Sequence, residues 1–186
     1  MRATAILLLL LALPAGALAQ NGGVIGVYPD VESFNCFDTA PVLFQTKSYY
    51  LIHHLALEAT ASQFKVEVYW PQAIPGTVEF YDNATLGDIY TGILISYVRG
   101  CRTLPDVIAR LDFTPITDTP PCEAFLRVDA DPAEPLLSVV AWDCSDQKRI
   151  ATGGILYVGA GYDEYGCRCA LSNEPQTWGA IKALYQ

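Results

Sequence analysis

Residues 122–144 read CEAFLRVDADPAEPLLSVVAWDC. Two apolar runs, Ala124 to Val128 and Leu137 to Trp142, flank a polar middle that holds Asp129, Asp131, Pro132, Glu134 and Pro135. Short β-rich runs separated by turn residues are the pattern of a hairpin. With Leu126 opposite Val140, Ala124 meets Trp142 and Cys122 meets Cys144. Period-two alternation then puts all three pairs on one face. Directly opposed Cα atoms lie about 4.5–5.5 Å apart, within reach of a disulfide. A Cys122–Cys144 bridge is therefore the favoured expectation.

The same pattern recurs along the chain. Phe64, Val66, Val68 and Trp70 alternate with Lys65, Glu67 and Tyr69, which marks a half-buried strand stopped by Pro71. Tyr49 to Leu57 is apolar enough for helix, but its β-branched and aromatic content favours strand. Val24 to Tyr28 is a first short strand. Pro75-Gly76 reads as a turn, with a strand from Thr77 to Tyr81 after it. Thr91 to Val98 and Val107 to Phe113 read as a second hairpin. Ile150 to Val158 is a strand whose Gly153-Gly154 pair predicts a bulge or bend. Cys167 to Leu171 is a last strand. Thr177 to Tyr185, capped by Thr177 and carrying Trp178, Ile181 and Leu184, predicts one short helix that must dock on the rest. The expected fold is all-β: an antiparallel sandwich or partly closed barrel with a short C-terminal helix.

The first residues, MRATAILLLLLALPAGALA, have the form of a secretory signal peptide. Arg2 is the n-region, Ala5 to Leu13 the h-region, and Ala17-Leu18-Ala19 the cleavage site. The apolar run is too short for a membrane span. The expected mature chain is residues 20–186, a single disulfide-bonded β domain that is secreted or periplasmic. The formal charge is −9 before Arg2 is removed, which argues against nucleic acid and anionic lipid as partners.

All six cysteines, Cys36, Cys101, Cys122, Cys144, Cys167 and Cys169, fall after the signal. An even count in an exported chain reads as three disulfides. Cys167 and Cys169 are the one close pair, and neither the zinc spacing nor a C-x-x-C redox motif is present.

Several segments resemble a group of uncharacterised exported bacterial β-rich proteins. They are ATASQFKV at Ala59–Val66, TGILISYVRGC at Thr91–Cys101 and Cys144 after its VVxxD run. ATGG at Ala151–Gly154, the Cys167-Arg168-Cys169 pair and TWGAIKALY at Thr177–Tyr185 complete the set. The resemblance implies export and one β domain, and brings no activity or ligand with it.

Candidate chemistry is sparse. His53 and His54 are the only histidines, and adjacent strand residues face opposite ways, so they do not chelate one metal together. Ser62, Ser96 and Ser138 lack the G-x-S-x-G elbow. Asp129, Asp131 and Glu134 are candidate Ca2+ ligands without EF-hand spacing, and acidic turn residues commonly serve the turn itself. Asn83-Ala84-Thr85 is a glycosylation sequon. No other cofactor is indicated. Three aromatic pairs stand out: Tyr49-Tyr50, Tyr69-Trp70 and Phe80-Tyr81. Alternation turns Tyr50, Tyr69 and Tyr81 outward, a candidate contact surface for a protein or carbohydrate if their strands are neighbours. The expected function is a secreted, non-catalytic binding or interaction domain. The alternative is a secreted hydrolase acting on polysaccharide or cell-surface material, with catalytic residues unidentified.

Overall fold

The computed structural model describes residues 22–159, apart from residues 33, 39, 40, 57, 82, 121 and 122. The signal segment, Cys122, Cys167, Cys169, the last expected strand and the C-terminal helix lie outside the described residues. Fifteen strands and no helix are formed within them.

Two sheets face each other. The first runs in the order β14 (Thr152–Gly153), β1 (Val24–Tyr28), β3 (Lys47–His54), β10 (Asp106–Pro115), β6 (Ala73–Phe80). The second runs β13 (Lys148–Ile150), β12 (Val140–Trp142), β5 (Ala61–Tyr69), β11 (Ala124–Asp129), β15 (Ile155–Val158), β2 (Phe37–Asp38). On the other edge of β5 this sheet continues through β8 (Gly92–Tyr97) and β7 (Asn83–Asp88). A short pair, β4 (Glu58–Ala59) and β9 (Arg102–Thr103), completes the set. Neither sheet closes on itself.

The core lies between the sheets. Leu51, Leu111 and Phe113 come from the first sheet, and Phe64, Val66, Leu126 and Leu156 from the second. Trp70, just past β5, packs edge-on against Tyr49 and tilted against Phe113, with centroids 6.0 and 5.6 Å away. Its indole N–H donates to Thr119 Oγ1 at 2.8 Å. The buried Tyr49 hydroxyl donates to Asp38 Oδ2 at 2.7 Å, and Lys47 holds the other oxygen of that carboxylate at 2.6 Å. The two rings that sequence alternation sends inward thus reach polar partners, as buried Tyr and Trp require.

The expected 122–144 hairpin is not formed. β11 and β12 do not pair with each other; both lie along the same edge of β5. Asp129 stands opposite Lys65 and Val140 opposite Gln63. The partner strand thus advances two residues while this strand advances eleven. The segment is one long strand interrupted by a loop, and the excess of nine residues is odd. Facing therefore inverts across the loop: Ala124 and Leu126 point into the core, whereas Val140 and Trp142 point outward and Ala141 points in. The loop folds over the outer face, where Gln63 donates to Asp131 Oδ2 at 2.8 Å. Cys144 bonds to Cys101, with Cα atoms 5.3 Å apart, which overturns the Cys122–Cys144 assignment. Cys36 is also disulfide-bonded, so no described cysteine is a free thiol.

Other differences have the same origin in long-range pairing. The second expected hairpin is absent because β8 pairs with β5 and β7, while β10 pairs with β3 and β6. β6 continues through Pro75-Gly76 as an edge strand, where a proline's missing N–H is tolerated, but its register against β10 shifts between Val78 and Pro75, so the expected turn is replaced by a bulge. The expected bend at Gly153-Gly154 is present and has a reason. Gly153 pairs with β1 in the first sheet, and Ile155 pairs with β11 in the second. The chain changes sheets at the two glycines, and a Cβ on Gly153 would overlap the Val128 carbonyl.

Candidate contact face

β5 alternates as its sequence dictates, so Tyr69, Glu67 and Lys65 stand on the outer face of the second sheet. Tyr69 is the most open ring of the face, at 56% exposure. Opposite Tyr69 on β11 is Phe125, opposite Phe125 on β15 is Tyr157, and opposite Tyr157 on β2 is Phe37. Phe125, Tyr157 and Phe37 are each half-buried. Cross-strand partners share a face, so four aromatic residues form one row across four adjacent strands, about 14 Å from end to end. The Tyr69 and Phe125 rings are stacked, with centroids 5.6 Å apart and planes 25° apart.

A charged row flanks the aromatic one. Arg127 lies over the Phe125 ring at 5.8 Å, is ion-paired with Glu67, and approaches Asp129 Oδ2 at 3.3 Å. An arginine held by a carboxylate and laid against an aromatic ring has already lost much of its side-chain freedom. Tyr69 also forms the rim of a groove of about 550 Å3 on the far edge of β5, lined by Trp70, Pro71, Pro75 and Tyr90. Burial, with Asp88 beside it, raises the Tyr90 phenol above its ordinary value.

The tyrosines expected to share a surface are divided. Tyr50 stands opposite Arg110, which stands opposite Glu79, two residues before Tyr81. Tyr50 and Tyr81 therefore flank Arg110 on the outer face of the first sheet, while Tyr69 is on the second. β3 and β5 follow one another in sequence but belong to different sheets. Phe125, Arg127 and Tyr157 were legible as residues of their own strands, whereas Phe37 falls in Asn35 to Pro41, a segment that reads as a loop and in fact forms the two-residue β2. The strand order that joins them to Tyr69 was not legible.

The candidate calcium ligands are each engaged within the protein. Asp129 accepts from the Ala130 amide at 2.8 Å and faces Arg127. Asp131 is buried and accepts from Gln63 and from the Ala133 amide, both at 2.8 Å. Glu134 is 1% exposed and accepts from Lys148 at 2.6 Å and from the Leu136 amide at 3.2 Å. Among the described residues, Glu58, Cys101 and Cys144 form the one cluster of potential ligand atoms, and its two sulfurs are joined in the disulfide.

The histidines are both buried. His53 is fully enclosed, with Nε2 2.7 Å from the Gly22 carbonyl and Nδ1 2.9 Å from the Tyr97 hydroxyl. Period-two alternation, which turns Tyr50 outward, predicts the same outward facing for His54 on this strand. His54 is instead covered by Phe34, stacked 4.5 Å away, and lies 2.6 Å from the Tyr28 hydroxyl. Asn83 of the sequon donates its amide to the Ile108 carbonyl at 3.0 Å.

No protein-family model matches the chain, and no curated protein matches it. Solved structures to which the chain is similar include cohesin modules. A cohesin module from the Clostridium perfringens family 33 glycoside hydrolase is 7% identical, with 75% of this chain and 99% of that one covered and a TM-score of 0.47. The sixth cohesin of Acetivibrio cellulolyticus scaffoldin B, solved in complex with a Cel5 dockerin, is 8% identical, with 76% and 100% covered and a TM-score of 0.49. CaCohA2 from Clostridium acetobutylicum is 9% identical, with 80% and 96% covered and a TM-score of 0.45. Similarity at this level assigns no ligand to this chain.

Proposed function

We propose that this chain is an exported, non-catalytic binding domain that contacts a protein partner through the outer face of its second sheet. The row Tyr69–Phe125–Tyr157–Phe37 with Arg127 beside it carries the reading. Tyr, Phe and Arg are the residue types enriched at protein interfaces. Here they stand on paired strands rather than loops, so little freedom remains to be lost on binding. The stacking of Tyr69 on Phe125 turns the rings toward each other, which suits interdigitation with protein side chains better than a sugar ring laid flat. The signal-like first residues, the acidic charge and the disulfide agree with a secreted or periplasmic location. No helix among the described residues is long and apolar enough to cross a membrane. Hydrolysis has less support. The carboxylate lining the large groove is Glu67, which is paired with Arg127, and glycoside cleavage uses two carboxylates flanking one bond.

The test uses two arrays, one of secreted and cell-surface proteins and one of glycans, probed with the wild type and with a Phe125→Ala/Tyr157→Ala variant. Both side chains lie on the outer face, so the variant keeps its fold by circular dichroism. Protein hits that weaken at least tenfold in the variant are the expected result. Hits confined to the glycan array would overturn the protein reading, and hits of either kind that survive the variant would overturn the site.

A further inference from the structure

We propose that the groove beside Trp70 is a peptide site, in which an extended segment of a partner adds as a strand to the open edge of β5. This rests on the reading of the chain as a protein-binding domain and names the form the partner takes at one place. β5 is paired on both edges only along its first part. β8 accompanies it as far as Phe64, and the Val66 amide then donates to the Ile89 carbonyl at 2.6 Å. There the neighbouring chain turns away. Backbone groups of residues i and i+2 in a strand point to the same edge. The N–H and C=O of Val68 therefore point where those of Val66 do, and no described strand pairs with β5 there.

The groove of about 550 Å3 runs along this stretch, from Lys65 to Pro71, with Pro75 of β6 and Tyr90 on its other sides. Pro71 and Pro75 have no amide to offer. The unpaired backbone N–H in the groove is therefore that of β5, and Trp70, Pro71, Pro75 and the Tyr90 ring supply apolar wall between the charged Lys65 and Glu67 side chains. The Val66 amide and the Trp70 carbonyl are already engaged, by Ile89 and Ala73, so the open pair is the N–H and C=O of Val68. An open backbone pair beside a partly apolar trough is what strand addition uses, with main-chain hydrogen bonds holding the peptide and alternate side chains filling the trough. Exposed edges are otherwise blunted by bulges, inward charges or covering loops. No described strand covers the edge at Val68; Lys65 and Pro71 on either side of it limit the added segment to a short one.

Charge refines the partner. Lys65 stands on the rim opposite Asp129, whose carboxylate Arg127 approaches at 3.3 Å. An acidic side chain on the peptide would meet the Lys65 ammonium. The partner segment is thus extended, apolar at alternate positions, and acidic near one end.

A phage library of 12-residue peptides, selected on the full chain, supplies the probe, and the enriched peptides are titrated into 15N-labelled protein. The expected enriched sequences have apolar residues two apart and one Asp or Glu. They shift the Val68 amide and slow its hydrogen exchange at least tenfold. N-methylation at the two positions facing β5 costs at least tenfold in affinity, and replacing the acid by Lys costs about threefold. Tyr90→Ala weakens them, whereas Phe125→Ala/Tyr157→Ala does not, which separates this site from the aromatic row. An unshifted Val68, indifference to N-methylation, or no enrichment overturns the proposal. So does a Val68 amide already as protected as that of Val66 before any peptide is added, which would place another part of the chain, or a second copy, in the groove.

Discussion

Acidification should destabilise this domain chiefly through His53. Its ring is fully buried, and burial pushes its pKa down from 6.5 to about 4, with His54 adding to the fall and the Gly22 carbonyl and Asp106 opposing it. In the unfolded chain the ring takes up its proton near pH 6.5. Between pH 6.5 and about 4 the unfolded state therefore binds more protons than the folded one, and stability falls with pH. The contribution is fully present above pH 6.5 and gone once pH has dropped through about 4. At 1.36 kcal/mol per pH unit, the gap is worth about 3 kcal/mol, of which about 2 is lost by pH 5. His54, also lowered by burial, acts in the same direction. The assay is urea unfolding from pH 7.5 to 4.5 for the wild type and His53→Gln. The variant starts lower at pH 7.5, because the Gly22 and Tyr97 contacts are disturbed, but its loss on acidification is smaller by about 2–3 kcal/mol. Parallel pH profiles for the two proteins would refute the reasoning.

Three further expectations concern stability. Cys101→Ser/Cys144→Ser opens a bridge across a sequence separation of 43, worth about 4 kcal/mol in the chain-entropy model; urea midpoints measure it, and non-reducing peptide mapping should find the two cysteines joined. Gly153→Ala should cost about 2–3 kcal/mol or more, because a methyl group there meets the Val128 backbone rather than a movable side chain; a thermal shift under 2 °C would contradict this. Lys148→Met leaves the enclosed Glu134 carboxylate without its cation and should cost about 1–3 kcal/mol, the lower end reflecting Lys148's own partial exposure; the double variant Glu134→Gln/Lys148→Met should recover most of it in the same melts.

What could be read from the sequence was local. Alternation in Phe64–Trp70 set the inward and outward faces of β5 correctly, and the Gly153-Gly154 pair marked the sheet change. Both signals depend on a few adjacent residues. The errors lie where the deciding contact is distant. Leu126 and Val140 each look like core residues of a hairpin, yet their common partner is β5, some sixty to eighty residues earlier, and the intervening odd-length loop inverts their facing. His54 was expected outside because its strand alternates, and Phe34 from another segment covers it. The candidate site divides the same way: Tyr69 was identified from β5 alone, but its companions Phe125, Tyr157 and Phe37 are joined to it only by sheet order. The contacts of Asp131 and Glu134 with Gln63 and Lys148 were not legible either, because those residues lie on other strands.

The loop between Asp129 and Val140 leaves the edge of β5 and returns to it two partner residues later. The two flanking pieces of strand have opposite inside–outside patterns, so no continuous strand could replace them. Whatever joins them need only close a short gap. Insertions or deletions of either parity can then be absorbed here without disturbing the ladder on β5. That makes the segment a natural graft point. A recognition loop of another length, carried where Leu137 now stands 73% exposed, could be exchanged while the sandwich beneath it keeps its register.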